Sequence, residues 1–287
     1  MSDCAREIGK ILAPKDIFVR GGLVFTVNDR KDGLTPMSAE TLRTWVEDYL
    51  VCFKVRRLGG TEETIQFKRT ITQTDAGGIL ASPQFMAELQ QIERFNPIRV
   101  PVMRRDGNID LLAEGYDAET KSFTCDSVPV ITGMDPGEAK EIVDDILAEF
   151  VFGDQGRSKA VAVSSMLTVF GRGLLPPKSL RPCFVFVANA EGAGKTLLVK
   201  CATVPVLGYA PAGTKPKDED EMRKALLAAV IEARPVIFFD NAKKHITSEA
   251  LEGFLTTQDY EGRILGQSKS FRGANDAVAM ITKFSWV

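Results

Sequence analysis

CFVFVANAEGAGKTLLVKCA, residues 183–202, joins a short apolar β-type run (Cys183 to Val187) to a turn of small residues, then to a helix-forming run that begins at Lys195. That strand, loop, helix order is the one a phosphate-binding loop requires. Gly192, Ala193 and Gly194 carry little or no side chain, so successive backbone N–H groups can turn inward around phosphate oxygens. The loop runs into a helix N-terminus, whose unpaired N–H groups and dipole favour an anion. Lys195 would reach the β and γ phosphates, and the Thr196 hydroxyl would complete the coordination of Mg²⁺. The strict pattern G-x-x-x-x-G-K-[ST] asks for glycine where this chain has Asn189, a residue that tolerates the left-handed conformation better than most. Asn189, Gly192, Ala193, Gly194, Lys195, Thr196 and Leu197 are thus the candidate nucleotide contacts. A Gly-rich turn before an ordinary helix is the alternative.

A second motif follows. PVIFFD, residues 235–240, is a continuous apolar run ending in a carboxylate, 45 residues after Lys195. A strand apolar on both faces belongs inside a parallel sheet, and an acid at its C-terminal end lies where such sheets bind ligands. Asp240 is therefore the candidate Walker B aspartate, sharing Mg²⁺ with Thr196. The next residue is Asn241, whose amide orients water but cannot accept its proton at neutral pH. Asn241 as a positioning residue is preferred to Glu249 or Glu252 as the catalytic base. Lys195, Asp240 and Asn241 form the candidate catalytic set.

Composition bounds the rest. The chain has 287 residues, 44% hydrophobic and 26% charged, which reads as one large or two ordinary globular domains. No apolar run is long enough to span a bilayer, and MSDCAREIGK lacks the apolar core of a signal peptide, so a cytoplasmic protein is expected. The five cysteines are scattered and odd in number, as expected of reduced thiols, with Cys183 and Cys201 on core faces beside the loop. The single histidine, His245, has no companions for a zinc site. Residues 1–150 hold 18 basic and 25 acidic side chains, whereas residues 151–287 hold 18 and 13. The half with the phosphate loop is the half better suited to a polyanion.

Along the first half, DIFVRGGLVFTVN (16–28) reads as two strands with a tight Gly21-Gly22 connection. SAETLRTWVEDYLV is an amphipathic helix with Ser38 as N-cap and Leu42, Trp45, Val46, Tyr49 and Leu50 on one face. CFKVRR and TIQFKRT alternate apolar with basic residues and are joined through Gly59-Gly60. They form either a nucleic-acid-binding face or a solvated strand face. From Pro97 to Pro129 short strands and turns are expected. Asp135-Pro136-Gly137-Glu138 starts a helix with Ile142, Val143, Ile146, Leu147 and Phe150 on one side. The domain boundary is placed between Ser127 and Gly156. Residues 1–134 then form a smaller α+β domain, and 135–287 a helical lead-in plus an α/β P-loop core with a central parallel sheet. At the end of the chain, RILGQSK and AVAMIT read as two strands around a basic tip, SKSFRGAND. There Lys269 and Arg272 flank Phe271, in the pattern of a single-stranded nucleic-acid contact or of a solvent-exposed hairpin.

On NAEGAGKT, VIFFDN, GRILGQSKS and AVAMIT the C-terminal half resembles the AAA+ ATPase domain of phage, plasmid and prophage replication proteins, the superfamily 3 helicase and primase-helicase group. RRDGNIDLLAEGYDAET, 104–120, is similar to a stretch upstream of that domain. The resemblance implies an ATP- and Mg²⁺-dependent ATPase moving on single-stranded or forked DNA, a homo-oligomeric ring, usually a hexamer, and a DNA-contacting hairpin at Lys269 to Arg272. The family's strand runs on into a sensor asparagine and an arginine finger. This chain reads KFSWV there, as a truncated or frameshifted copy or a fragment would. An arginine finger contributes on the order of 10³ or more to turnover in related NTPases, so feeble hydrolysis is expected. The rival is a non-catalytic nucleotide-binding remnant or assembly subunit. A small-molecule kinase also uses a phosphate loop, but no acceptor pocket or Arg-rich lid is legible.

Overall fold

The computed structural model of the chain describes residues 2–57, 64–125, 129–130, 132–176, 179–190, 192–242, 247–264 and 269–284. It mixes helices with parallel and antiparallel strands and divides into two compact units, one of Met1–Val27 with Thr35–Gln91, the other of Asn28–Leu34 with Ile92–Val287. Residues 92–125, which the sequence reading places with the N-terminal domain, lie in the second unit.

The first unit begins with α1 (Ser2–Leu12), whose Ala5, Ile8 and Leu12 recur at helical spacing and are buried. Strands β1 (Ile17–Arg20) and β2 (Leu23–Val27) pair antiparallel around left-handed Gly21 and Gly22, as expected. With β3 (Leu34–Pro36) and the short β6 (Gln90–Gln91) they form a sheet in the order β3-β2-β1-β6. Helix α2 (Ala39–Tyr49) starts where Ser38 Oγ accepts from the Thr41 N–H at 3.0 Å. It buries Leu42 and Val46, whereas Tyr49 of the expected face is exposed. The basic runs form the hairpin β4 (Phe53–Arg57) and β5 (Thr64–Lys68); their Gly59-Gly60 connection lies outside the described residues. Helix α3 (Gln73–Leu80) opens on a Thr72/Asp75 capping box and α4 (Pro83–Ala87) on proline.

In the second unit, β7 (Arg94–Asn96), β10 (Gly115–Asp117) and β11 (Ser122–Thr124) form a sheet in the order β10-β11-β7. The hairpin β8 (Pro101–Met103) and β9 (Ile109–Leu111) turns at left-handed Gly107. Arg104 bonds Asp110 at 2.9 Å and Asp117 at 2.7 Å, so RRDGNIDLLAEGYDAET is stapled by one guanidinium. Helix α5 (Pro136–Ile146) is capped by Asp135 as expected. Only part of its expected apolar face is covered: Leu147 is buried, but Ile142 and Ile146 remain exposed. Helix α6 (Arg157–Phe170) follows, and a 3₁₀ turn (Gly171–Leu174) comes so close to β8 that a Cβ on Gly173 would overlap the Pro101 carbonyl.

The core of this unit is a four-stranded parallel sheet in the order β12-β17-β14-β13, formed by β12 (Cys183–Ala188), β13 (Gly213–Thr214), β14 (Val236–Ala242) and β17 (Val278–Phe284). Helices α7 (Lys195–Leu207), α8 (Glu219–Ile231) and α9 (Glu249–Thr256) connect the strands. Parallel strands need such crossovers, and burial on both faces explains the unbroken apolar run Val236–Phe239. Phe184, Phe186, Phe238 and Met280 pack with Leu198, Val199 and Ala202 of α7 and Ala162 and Val169 of α6.

One expectation is corrected. AVAMIT is not the partner of the basic hairpin but β17, inside the parallel sheet. The hairpin pairs β15 (Asp259–Arg263) with β16 (Ser270–Ala274). Five buried residues in a row, Val278 to Thr282, all apolar except the last, suit a central strand and not a hairpin arm.

Candidate functional site

The residues singled out at Lys195, Thr196, Asp240 and Asn241 come together at the carboxyl edge of the parallel sheet, because β12 and β14 point the same way and both end there. The loop between β12 and α7 bends through left-handed Gly192 (φ 74°) and Gly194 (φ 77°), conformations that a residue with a Cβ resists. Gly194 is also the N-cap of α7 and lies against Phe150: a Cβ there would be 3.0 Å from the ring. Phe150 in turn stacks on Phe152, centroids 6.2 Å apart. Asn189 and Ala193 are exposed, as is Leu197; Glu191 lies outside the described residues. Lys195 is the first residue of α7. Its Nζ donates to the Ala190 carbonyl at 3.3 Å and lies 5.6 Å from the Phe284 ring centroid.

Asp240 is aimed by a bulge. Phe239 pairs with Ile281 and Ala242 with Lys283, so Asp240 and Asn241 together oppose Thr282 alone. Asn241 absorbs the extra residue at φ 55°, a left-handed conformation that asparagine tolerates. Its N–H donates to Thr282 Oγ1 at 2.8 Å. The Thr282 hydroxyl donates to Asp240 Oδ1 at 2.9 Å, and the Thr196 hydroxyl donates to the same oxygen at 3.0 Å. The other oxygen, Oδ2, lies 3.4 Å from Lys215 Nζ. Partial burial works to raise the pKa of Asp240, but the hydroxyls of Thr282 and Thr196 and the Lys215 ammonium outweigh it and hold the carboxyl below its ordinary value. It is ionised at neutral pH.

Three contributors escaped the sequence. Thr282 carries a signal in retrospect: it is the polar residue that follows an apolar run. No sensor residue is expected after AVAMIT, yet that strand's own last threonine lies on Asp240. Lys215 carries no local mark, because its contact is set by the pairing of β13 with β14. Gly213 is silent in sequence, but a Cβ there would lie 2.7 Å from Asp240 Cβ.

Other candidates lie elsewhere. Glu249 on α9 is exposed and 3.9 Å from Arg223, and Glu252 is exposed too. His245 lies outside the described residues. Lys269 is exposed directly before β16, and Arg272 bonds Asp259 across the hairpin at 3.1 Å. Phe271 between them is fully buried, so it offers no face for a base to stack on. All five cysteines are free thiols, and burial pushes Cys183 up to about 11. Among the described residues no three His, Cys, Asp or Glu side chains cluster as a metal cage, and no helix is long and apolar enough to cross a membrane.

No family model matches the chain, and no curated protein matches it. Among solved structures the chain is similar to the A form apo structure of the NrS-1 C terminal region, with a TM-score of 0.48 and 11% sequence identity. That match covers 96% of this chain and 56% of the other, so the chain spans little more than half of that relative's length.

Proposed function

We propose that the second unit binds ATP with Mg²⁺ at the carboxyl edge of its parallel sheet, the triphosphate resting on residues 192–197. The observation that carries the reading is the 3.0 Å bond between Thr196 and Asp240. It brings a hydroxyl and a carboxylate from separate motifs to one point beside a left-handed glycine loop and a helix N-terminus. The donor set fits the metal: Mg²⁺ is typically held by one or two carboxylates plus substrate phosphates, not by an all-protein cage. When bound, Mg²⁺ would neutralise charge on the phosphates. Lys195 would exchange the Ala190 carbonyl for phosphate oxygens, and Asn241 would orient a water without taking its proton.

The wider reading is an ATPase of the superfamily 3 helicase type in phage or mobile-element replication. It couples hydrolysis to movement on single-stranded DNA as a homo-oligomeric ring, with Lys269 and Arg272 as DNA contacts. Two observations support it: Lys269 is exposed, and Arg272 stands on the outward face of β16. A second reading, nucleotide binding without turnover, is favoured by the amide of Asn241 next to Asp240.

Fluorescent-ATP binding, turnover and DNA stimulation separate these. Binding unchanged in Lys195→Ala overturns the site itself. Hydrolysis abolished by that substitution removes the non-catalytic reading. Hydrolysis that single-stranded DNA does not stimulate, or stimulation unchanged by Lys269→Glu with Arg272→Glu, removes the motor.

A further inference from the structure

The two oxygens of Asp240 have different neighbours. Oδ1 accepts from the hydroxyls of Thr196 and Thr282, at 3.0 and 2.9 Å. Oδ2 faces the ammonium of Lys215 at 3.4 Å. Neutral hydroxyl oxygens can join Asp240 around a cation, whereas an ammonium has no lone pair to offer and carries the same charge as the metal. Lys215 and a metal ion therefore compete for the same carboxylate.

The backbone places the lysine there. Lys215 directly follows β13, which pairs with β14 in the register Gly213 with Phe238 and Thr214 with Phe239. Gly213 lies so close to Asp240 that no side chain fits between them, and Thr214 Oγ1 donates to the Phe238 carbonyl at 3.2 Å. The strand is thus fixed against the site, while the Lys215 side chain is 63% exposed. A long, hydrated lysine stem gives up such a contact at small cost.

We propose that Lys215 is a positioning residue that serves as the resident counter-cation of Asp240, orienting the carboxylate before metal arrives and competing with Mg²⁺ for Oδ2. It sets the metal concentration at which the nucleotide site fills. This rests on the reading of the site given above. Removing the ammonium raises metal affinity, which is the opposite of what loss of a phosphate-binding cation would do.

The test uses the full chain as wild type, Lys215→Met and Lys215→Arg. Mn²⁺ stands in for Mg²⁺, its free concentration is followed by electron paramagnetic resonance in the presence of ADP, and fluorescent ADP is titrated separately in EDTA. In Lys215→Met, Mn²⁺ binds about two- to fivefold more tightly, the span expected of an exposed ion pair. ADP affinity in EDTA stays at the wild-type value, and Lys215→Arg restores wild-type Mn²⁺ binding. Mn²⁺ binding that is unchanged or weaker in Lys215→Met overturns the proposal, as does a parallel loss of ADP binding in EDTA, which would make Lys215 a phosphate contact. If ADP binds through Lys195 and only the metal response is unaltered, the role of Lys215 falls alone. If neither ADP nor Mn²⁺ binds the wild type, both readings fall.

Discussion

Arg94 grips Asp276 with two hydrogen bonds, Nε to Oδ2 at 2.6 Å and Nη2 to Oδ1 at 3.0 Å, although 182 residues separate them. Arg181 Nη2 reaches the same carboxylate at 2.5 Å and also donates to the Arg172 carbonyl. Arg172, itself buried, holds the Phe95 carbonyl and Asn96 Oδ1 at 2.6 Å each. Burial lowers the Arg172 pKa to about 10, which leaves it charged at neutral pH. Two guanidiniums therefore grip the turn that launches β17, the strand that brings Thr282 to the site, and the charge of Arg172 acts on the same carboxylate. Asp276→Asn leaves them without their counter-charge and is expected to cost about 3 kcal/mol or more, read as a lower urea midpoint.

The same carboxylate makes stability depend on pH. Burial tends to raise its pKa, but Arg94, Arg181 and Arg172 outweigh that and hold it below the ordinary value. The unfolded chain then binds the proton more readily, so this contribution is complete above about pH 4 and is lost as pH falls through the folded value. Urea midpoints measured from pH 7 down to 3 should fall less steeply in Asp276→Asn than in the wild type.

Thr282 makes a sharper test of the site than any loop residue. Thr282→Val keeps the shape of a buried side chain but removes the donor to Asp240 and the acceptor for the Asn241 N–H. Affinity for Mg²⁺-nucleotide should drop by about 1 to 2 kcal/mol, roughly tenfold, while Thr282→Ser should restore most of it. Calorimetric titration of the three proteins reads this directly.

Gly213→Ala inserts a methyl group where Asp240 Cβ leaves no room. Strand β13 or Asp240 must shift, so a stability loss of about 1 to 3 kcal/mol is expected together with weaker Mg²⁺-nucleotide binding. A wild-type melting profile with wild-type affinity would contradict that close approach.

The hairpin separates two neighbours in sequence. Phe271→Ala opens a cavity in the core and should destabilise by about 3 to 5 kcal/mol in chemical denaturation. Arg272→Gln removes the charge pair with Asp259 without setting a second carboxylate beside it, so stability should change by less than about 1 kcal/mol, and any large effect should appear in DNA affinity.

The strand-loop-helix at 183–202 was legible because each step has its own chemical mark: an apolar run, glycines at positions that turn left-handed, then a helix starting at lysine. The apolar run into Asp240 was legible for the same reason, as were the caps at Ser38 and Asp135, where a short polar side chain has few other uses. Helix α1 was not, since its buried Ala5, Ile8 and Leu12 are interleaved with charges in too short a stretch to stand out. AVAMIT reads as a hairpin arm because nearness in sequence favours local pairing, yet its partners β12 and β14 lie far away along the chain.

By itself, then, the sequence determined which local segments bend, cap and extend, and which residue types could hold a phosphate and a hard cation, because those properties belong to a residue and its near neighbours. Only the tertiary structure decided that Thr196, Asp240, Thr282 and Lys215 share one point. Their meeting depends on strand order in a parallel sheet, on a one-residue bulge at Asp240 and Asn241, and on the absence of a Cβ at Gly213. All three are set by contacts between segments dozens of residues apart, which no local pattern records.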